Sequence, residues 1–161
     1  MPDPITIPAT SVQIYLGGMA ALNLPSPAGT GDWHMIQTYF RPRQKRSRSF
    51  VSGTGCLTDT NSMLGDEGIY DCTEILDRLG IPYERRPVYA ASHARAAADL
   101  VLDAVMRGSS PGFVVLDDWM PRDTDKHQVF ALLAKAVPCL SIQELEQLLV
   151  WRLKNGPDQD V

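Results

Sequence analysis

Asp32 and His34 stand two residues apart behind the glycine-rich run Gly29-Thr30-Gly31, with Trp33 between them. Glycines let a backbone approach a ligand closely. On a strand, residues at i and i+2 face the same side, so this carboxylate and imidazole can work as an acid–base pair or supply two ligands to a metal. The plainer outcome has Asp32 capping the turn, Trp33 packing in the core and His34 bonding a nearby carbonyl. A second cluster, Ser92-His93-Ala94-Arg95 with Asp99, falls where a helix should begin. Free amides and the helix dipole there favour an anion, and His93 and Arg95 add to that field. Alternatively Ser92 caps, Arg95 pairs with Asp99 one turn on, and His93 is solvated. If the two clusters converge, Asp32, His34, His93 and Arg95 form one catalytic set.

Further candidates are binding groups. Five of the eight residues 41–48 are basic, and Arg43 and Arg46 within them can hold a phosphate backbone or an acidic partner, or simply form a solvated hairpin tip. Gly31, Trp33, Asp66 and Asp99 join them as candidate ligand or partner contacts. Gly65-Asp66-Glu67-Gly68 reads as a turn and lacks the oxygen-ligand spacing of a calcium loop. Asp117-Asp118-Trp119-Met120-Pro121 follows an apolar run, the place where α/β proteins often carry functional carboxylates; otherwise it is a turn with Trp119 covering the core. Trp151 is either core edge or a partner contact. The chain has no phosphate-binding glycine loop, dinucleotide fingerprint, Gly-x-Ser-x-Gly elbow or His-Glu-x-x-His. No metal site is expected, and no cofactor is specified.

These groups need a scaffold. Pro2, Pro4 and Pro8 predict a loose tail over residues 1–9, a single globular domain over 10–155 and a polar tail over 156–161. Alternation over 11–16 predicts a strand, broken by Gly17-Gly18. Residues 19–24 fit a helical turn or a strand equally. Strands over 35–40 and 47–52 would flank the basic segment as a hairpin, and 53–68 should be a long loop. Apolar spacing predicts a helix over 69–79 ending at Gly80, an extended segment over 86–90, and a helix capped by Ser92 that ends at Gly108. An apolar β-branched run predicts a buried strand over 112–116. Two more helices follow, one starting at Asp123 or Thr124 and one opened by the capping box Ser141-Ile142-Gln143-Glu144, with Leu145, Leu148, Leu149 and Leu153 as its buried stripe. The fold class is α+β (or α/β): a small mixed sheet from the N-terminal half and the 112–116 strand, packed by about four helices.

Composition narrows the function. A formal charge of −4 opposes a general nucleic-acid binder, leaving nucleic acid only the 41–48 segment. Three widely spaced cysteines suit a reducing compartment, and no apolar run is long enough to span a bilayer, so a cytoplasmic protein without membrane contact is expected.

The stretch Ile14-Tyr15-Leu16-Gly17-Gly18-Met19-Ala20-Ala21-Leu22-Asn23-Leu24-Pro25, followed by Gly31-Asp32-Trp33-His34, resembles a group of small bacterial proteins with a YLGG…ALNLP…GDWH beginning. Gly65-Asp66-Glu67-Gly68-Ile69 and His93-Ala94-Arg95-Ala96-Ala97-Ala98-Asp99-Leu100 resemble later motifs of that group, so the likeness runs from Tyr15 to Leu153. The resemblance implies genes set beside nucleotidyltransferase-like toxins of the AbiEii/AbiGii type, in a toxin–antitoxin or phage-defence module. It therefore implies an antitoxin or accessory protein with a partner encoded nearby, and it brings no catalytic residues. The alternative is a small hydrolase-like enzyme using His34, His93 and Arg95 on an anionic substrate.

Overall fold

The computed structural model describes residues 5–25, 40 and 50–156. It is an α+β fold in which a four-stranded mixed sheet lies between two hydrophobic cores. Strands β1 (Ile14–Leu16), β2 (Val51–Gly53), β3 (Ile69–Asp71) and β4 (Tyr89–Ala91) are arranged β2-β1-β4-β3. β1 runs antiparallel to β2 and parallel to β4, and β3 runs antiparallel to β4. Side chains alternate across a strand. Accordingly Tyr15 and Ala91 enter one core, while their neighbours Leu16 and Ala90 enter the other.

Seven α-helices lie among the described residues: α1 (Gly18–Leu22), α2 (Asn61–Leu64), α3 (Thr73–Leu79), α4 (His93–Met106), α5 (Leu116–Trp119), α6 (Asp123–Ala136) and α7 (Ile142–Asn155). Helix α4 is the axis of the larger core, packing on α1, α6 and α7. It is buried almost all round, and its run of alanines lets neighbouring backbones come close. Ser92 caps it by accepting from Arg95 N at 3.1 Å, and the Ser141 capping box of α7 has both reciprocal bonds. Cys72 and Leu76, at the start and middle of α3, face the smaller core with Ile7, Leu24, Phe40, Phe50 and Val88.

Several expectations are corrected. Residues 112–116 are not a strand: a turn bonded from Val114 N to Pro111 O leads into α5. Side chains of α7 take up backbone groups that a ladder would use, since Trp151 Nε1 donates to Val114 O at 2.9 Å and Leu116 N donates to Asn155 Oδ1 at 2.9 Å. The expected helix over 69–79 begins only at Thr73, because Ile69 and Tyr70 pair with β4 and Asp71 Oδ1 then accepts from Thr73 N. The long loop over 53–68 contains α2. Residues 5–9, expected as a loose tail, are tied in: Ile7 is fully buried and its amide and carbonyl bond Pro82 O and Glu84 N. Of the expected hairpin, the second strand is present as β2, paired to β1, while residues 35–39 of the first strand and the basic segment with Arg43 and Arg46 lie outside the described residues.

The stripe on α7 is also revised. Leu148 and Trp151 are buried, and Trp151 meets Phe130 edge-on at 6.1 Å, whereas Leu149 and Leu153 face solvent. Trp151→Ala should therefore lower stability by about 3–5 kcal/mol, while Leu153→Ala should stay within about 0.5 kcal/mol, as read by urea unfolding.

Candidate functional site

The sequence cluster at Ser92–Asp99 becomes a buried ionic centre. The side chains of Arg95 and Asp99 are both 0% exposed, and Arg95 Nε donates to Asp99 Oδ1 at 2.9 Å. Arg95 Nη1 donates to the carbonyls of Gly65 at 2.9 Å and Glu67 at 2.7 Å. Its Nη2 is shared among Tyr15 Oη, Thr60 Oγ1 and Asn61 Oδ1 at 3.1–3.2 Å. Both hydroxyls pass the polarity on: Thr60 donates to Asp99 Oδ1 at 2.6 Å, and Tyr15 donates to Asp99 Oδ2. The Tyr15 ring also lies beneath the guanidinium, 5.3 Å from Cζ to centroid.

A guanidinium has five N–H donors, and all five are committed here. Burial, the larger effect, raises the Asp99 carboxyl above its usual range, while Arg95 and the two hydroxyls pull it back. The same burial, with Asp99 beside it, raises the Tyr15 hydroxyl. Gly68 is what lets the turn close over the centre. It holds φ +78°, and a Cβ there would stand 2.9 Å from Arg95 Cβ.

His93 is not solvated, as one sequence reading had it. It is buried, and its Nε2 lies 2.7 Å from Leu24 O, so the ring donates to that carbonyl and ties the exit of α1 to the start of α4. Asp66 is exposed on the turn whose carbonyls hold Arg95. Gly31, Asp32, Trp33 and His34 lie outside the described residues, as do Arg43 and Arg46. Tyr15, Thr60 and Asn61, which complete the centre, carry no local sequence signal; each is brought in by tertiary contact. Among the described residues no group of three or more His, Cys, Asp or Glu is placed to hold a metal.

Depressions among the described residues include the following two. One, of about 410 Å³, is lined by Pro25, Tyr70, Asp71, Thr73, Glu74, Ile75 and Arg78. The other, of about 210 Å³, lies where Pro111, Gly112 and Val115 meet Val150, Trp151 and Lys154 of α7. Beside it α7 presents several apolar side chains to solvent, with Glu146 among them: Ile142 is 79% exposed, Leu149 48%, Val150 55% and Leu153 87%. No protein-family model, curated protein or solved structure matches the chain.

The geometry makes the buried centre a device for holding residues 60–68 against α4. Arg95→Ala or Asp99→Ala, each leaving the other charge unpaired, should lower stability by about 3–5 kcal/mol in urea unfolding, while Asp66→Asn should change it by less than about 0.5 kcal/mol. The cysteines give a second check. Burial, aided by the Asp71 carboxylate, pushes the Cys72 thiol up to about 12, whereas Cys139 is exposed. At pH 8 a thiol reagent should label Cys139 promptly and Cys72 only as fast as the chain unfolds. A raised thiol value also means that the Cys72 contribution to stability is present below the ordinary thiol range and is lost as pH climbs through about 12.

Proposed function

We propose that the chain is a protein-binding module, an antitoxin-like or accessory partner in a bacterial toxin–antitoxin or phage-defence module. The observation that carries this reading is the exposed row Ile142, Leu149, Val150 and Leu153 on α7. A helix packed on a core needs only one apolar face. α7 has that face in Leu148 and Trp151, and its outward row is additional. Exposed apolar side chains clustered on one helix face favour protein association. Val115 extends it across the depression shared with Val150, and Phe113 in the preceding turn is 55% exposed.

Chemistry has less support in the described residues. Every donor of Arg95 is engaged and His93 holds a backbone carbonyl, so neither offers a free group to an anionic substrate. The toxin–antitoxin setting rests on the likeness of the Ile14–Pro25 stretch and the later motifs to small proteins encoded beside nucleotidyltransferase-like toxins.

Co-expression with the product of the neighbouring gene tests the reading. The chain should co-purify with that product and relieve its growth arrest. The double variant L149E/L153E should lose both effects with an unchanged urea midpoint, because both side chains face solvent. Failure of the unaltered chain to co-purify and to rescue growth would remove the reading.

A further inference from the structure

The outward side of α7 consists of two adjacent ridges at four-residue spacing. One holds Ile142, Glu146, Val150 and Lys154; the other holds Leu145, Leu149 and Leu153. All are exposed except Leu145, which is half-buried. Arg152, the other cation near this end, is already occupied, with its guanidinium 5.3 Å from the centroid of the Phe130 ring. Glu146 and Lys154 have no ion-pair partner among the described residues.

The placement of these two charges is self-complementary. Val150 lies midway, four residues from each, and the charges are separated by about 12 Å along the helix at about 1.5 Å per residue. A twofold axis through Val150 runs a second α7 antiparallel to the first. It sets Val150 against Val150, and it brings Glu146 of each copy to Lys154 of the other. The leucine ridges of the two copies then lie against one another on the same side of that axis. Parallel pairing would instead set like charge against like charge along the same ridge, which is unfavourable. Such an arrangement is isologous, the symmetry most homodimers adopt.

We infer that the outward face of α7 binds a second copy of this chain, antiparallel, about a twofold axis at Val150. The inference rests on the reading of this surface as an association face, and it names the first occupant. A toxin-like partner is then taken by the dimer. One helix face is a small interface, so the dimer is a weak one that forms at micromolar or higher concentration.

Sedimentation equilibrium on the purified chain alone, up to about 1 mM, reads the association in the range a small interface requires. The unaltered chain dimerises. E146K and K154E each break both symmetric ion pairs and weaken association by about five- to thirtyfold. The double variant E146K/K154E restores reversed pairs and returns the dissociation constant to within about threefold of the original. Should a reversal fail to fold, the neutral variants E146Q and K154Q carry the same comparison with smaller losses. A chain that stays monomeric throughout, single variants that leave association unchanged, or a double variant no better than the singles each overturn the inference. Growth rescue by a monomeric chain would overturn it while leaving the protein-binding reading intact, and a charge-dependent dimer without rescue would do the reverse.

Discussion

Enclosing a guanidinium in a protein core forces decisions on everything around it. Removing an ion from water carries an effective penalty of several kcal/mol, which only full hydrogen bonding and an opposite charge offset. Arg95 meets this demand with acceptors from four parts of the chain: Tyr15 on β1, Thr60 and Asn61 at the start of α2, the turn carbonyls of Gly65 and Glu67, and Asp99 on its own helix. The turn carbonyls and Asp99 cannot move far without leaving a donor unsatisfied, and Tyr15, Thr60 and Asn61 together hold the remaining two. The centre therefore specifies how β1 and residues 60–68 sit against α4. The glycine at position 68 follows from that closeness, since a side chain would collide with Arg95 itself.

Around this polar point the packing is conventional. The short sheet is packed on both faces at its central strand; Tyr15 and Leu16 are both fully buried, one in each core. Helix α4 fills the larger core because alanines at 94, 96, 97, 98 and 104 let helices α1, α6 and α7 approach, while Val101, Leu102 and Val105 supply bulk. The smaller core is closed from the N-terminal side by Ile7, whose backbone is bonded on both sides to residues 82–84.

The interior and the surface thus divide their roles. The groups with the richest chemistry, Arg95, Asp99 and His93, are turned inward and saturated. Of the large apolar side chains left in water among the described residues, Ile142, Leu149, Val150 and Leu153 lie on α7 and Phe113 and Val115 just before α5, with Leu57, Met106 and Val137 elsewhere.

Features set by neighbours in sequence are legible in the sequence itself: the Ser92 and Ser141 caps, the left-handed Gly80 ending α3, the extent of α4 to Met106, and the pairing of Arg95 with Asp99 one turn on. Each depends on bonds spanning three or four residues, which side-chain type and spacing dictate. The depth of that pair, the acceptors around it and the surroundings of His93 depended on contacts 28 to 84 positions apart, and no local pattern encodes those. The same distinction explains the corrected elements. An apolar run such as 112–116 satisfies strand and turn equally, and the choice fell to Trp151 and Asn155, which claimed its backbone groups. On α7, leucines at 145, 148, 149 and 153 wrap too much of the helix to name one inner face. Packing on α4 selected the side bearing Leu148 and Trp151, since a helix can press only one side against a given neighbour, and left the other outward.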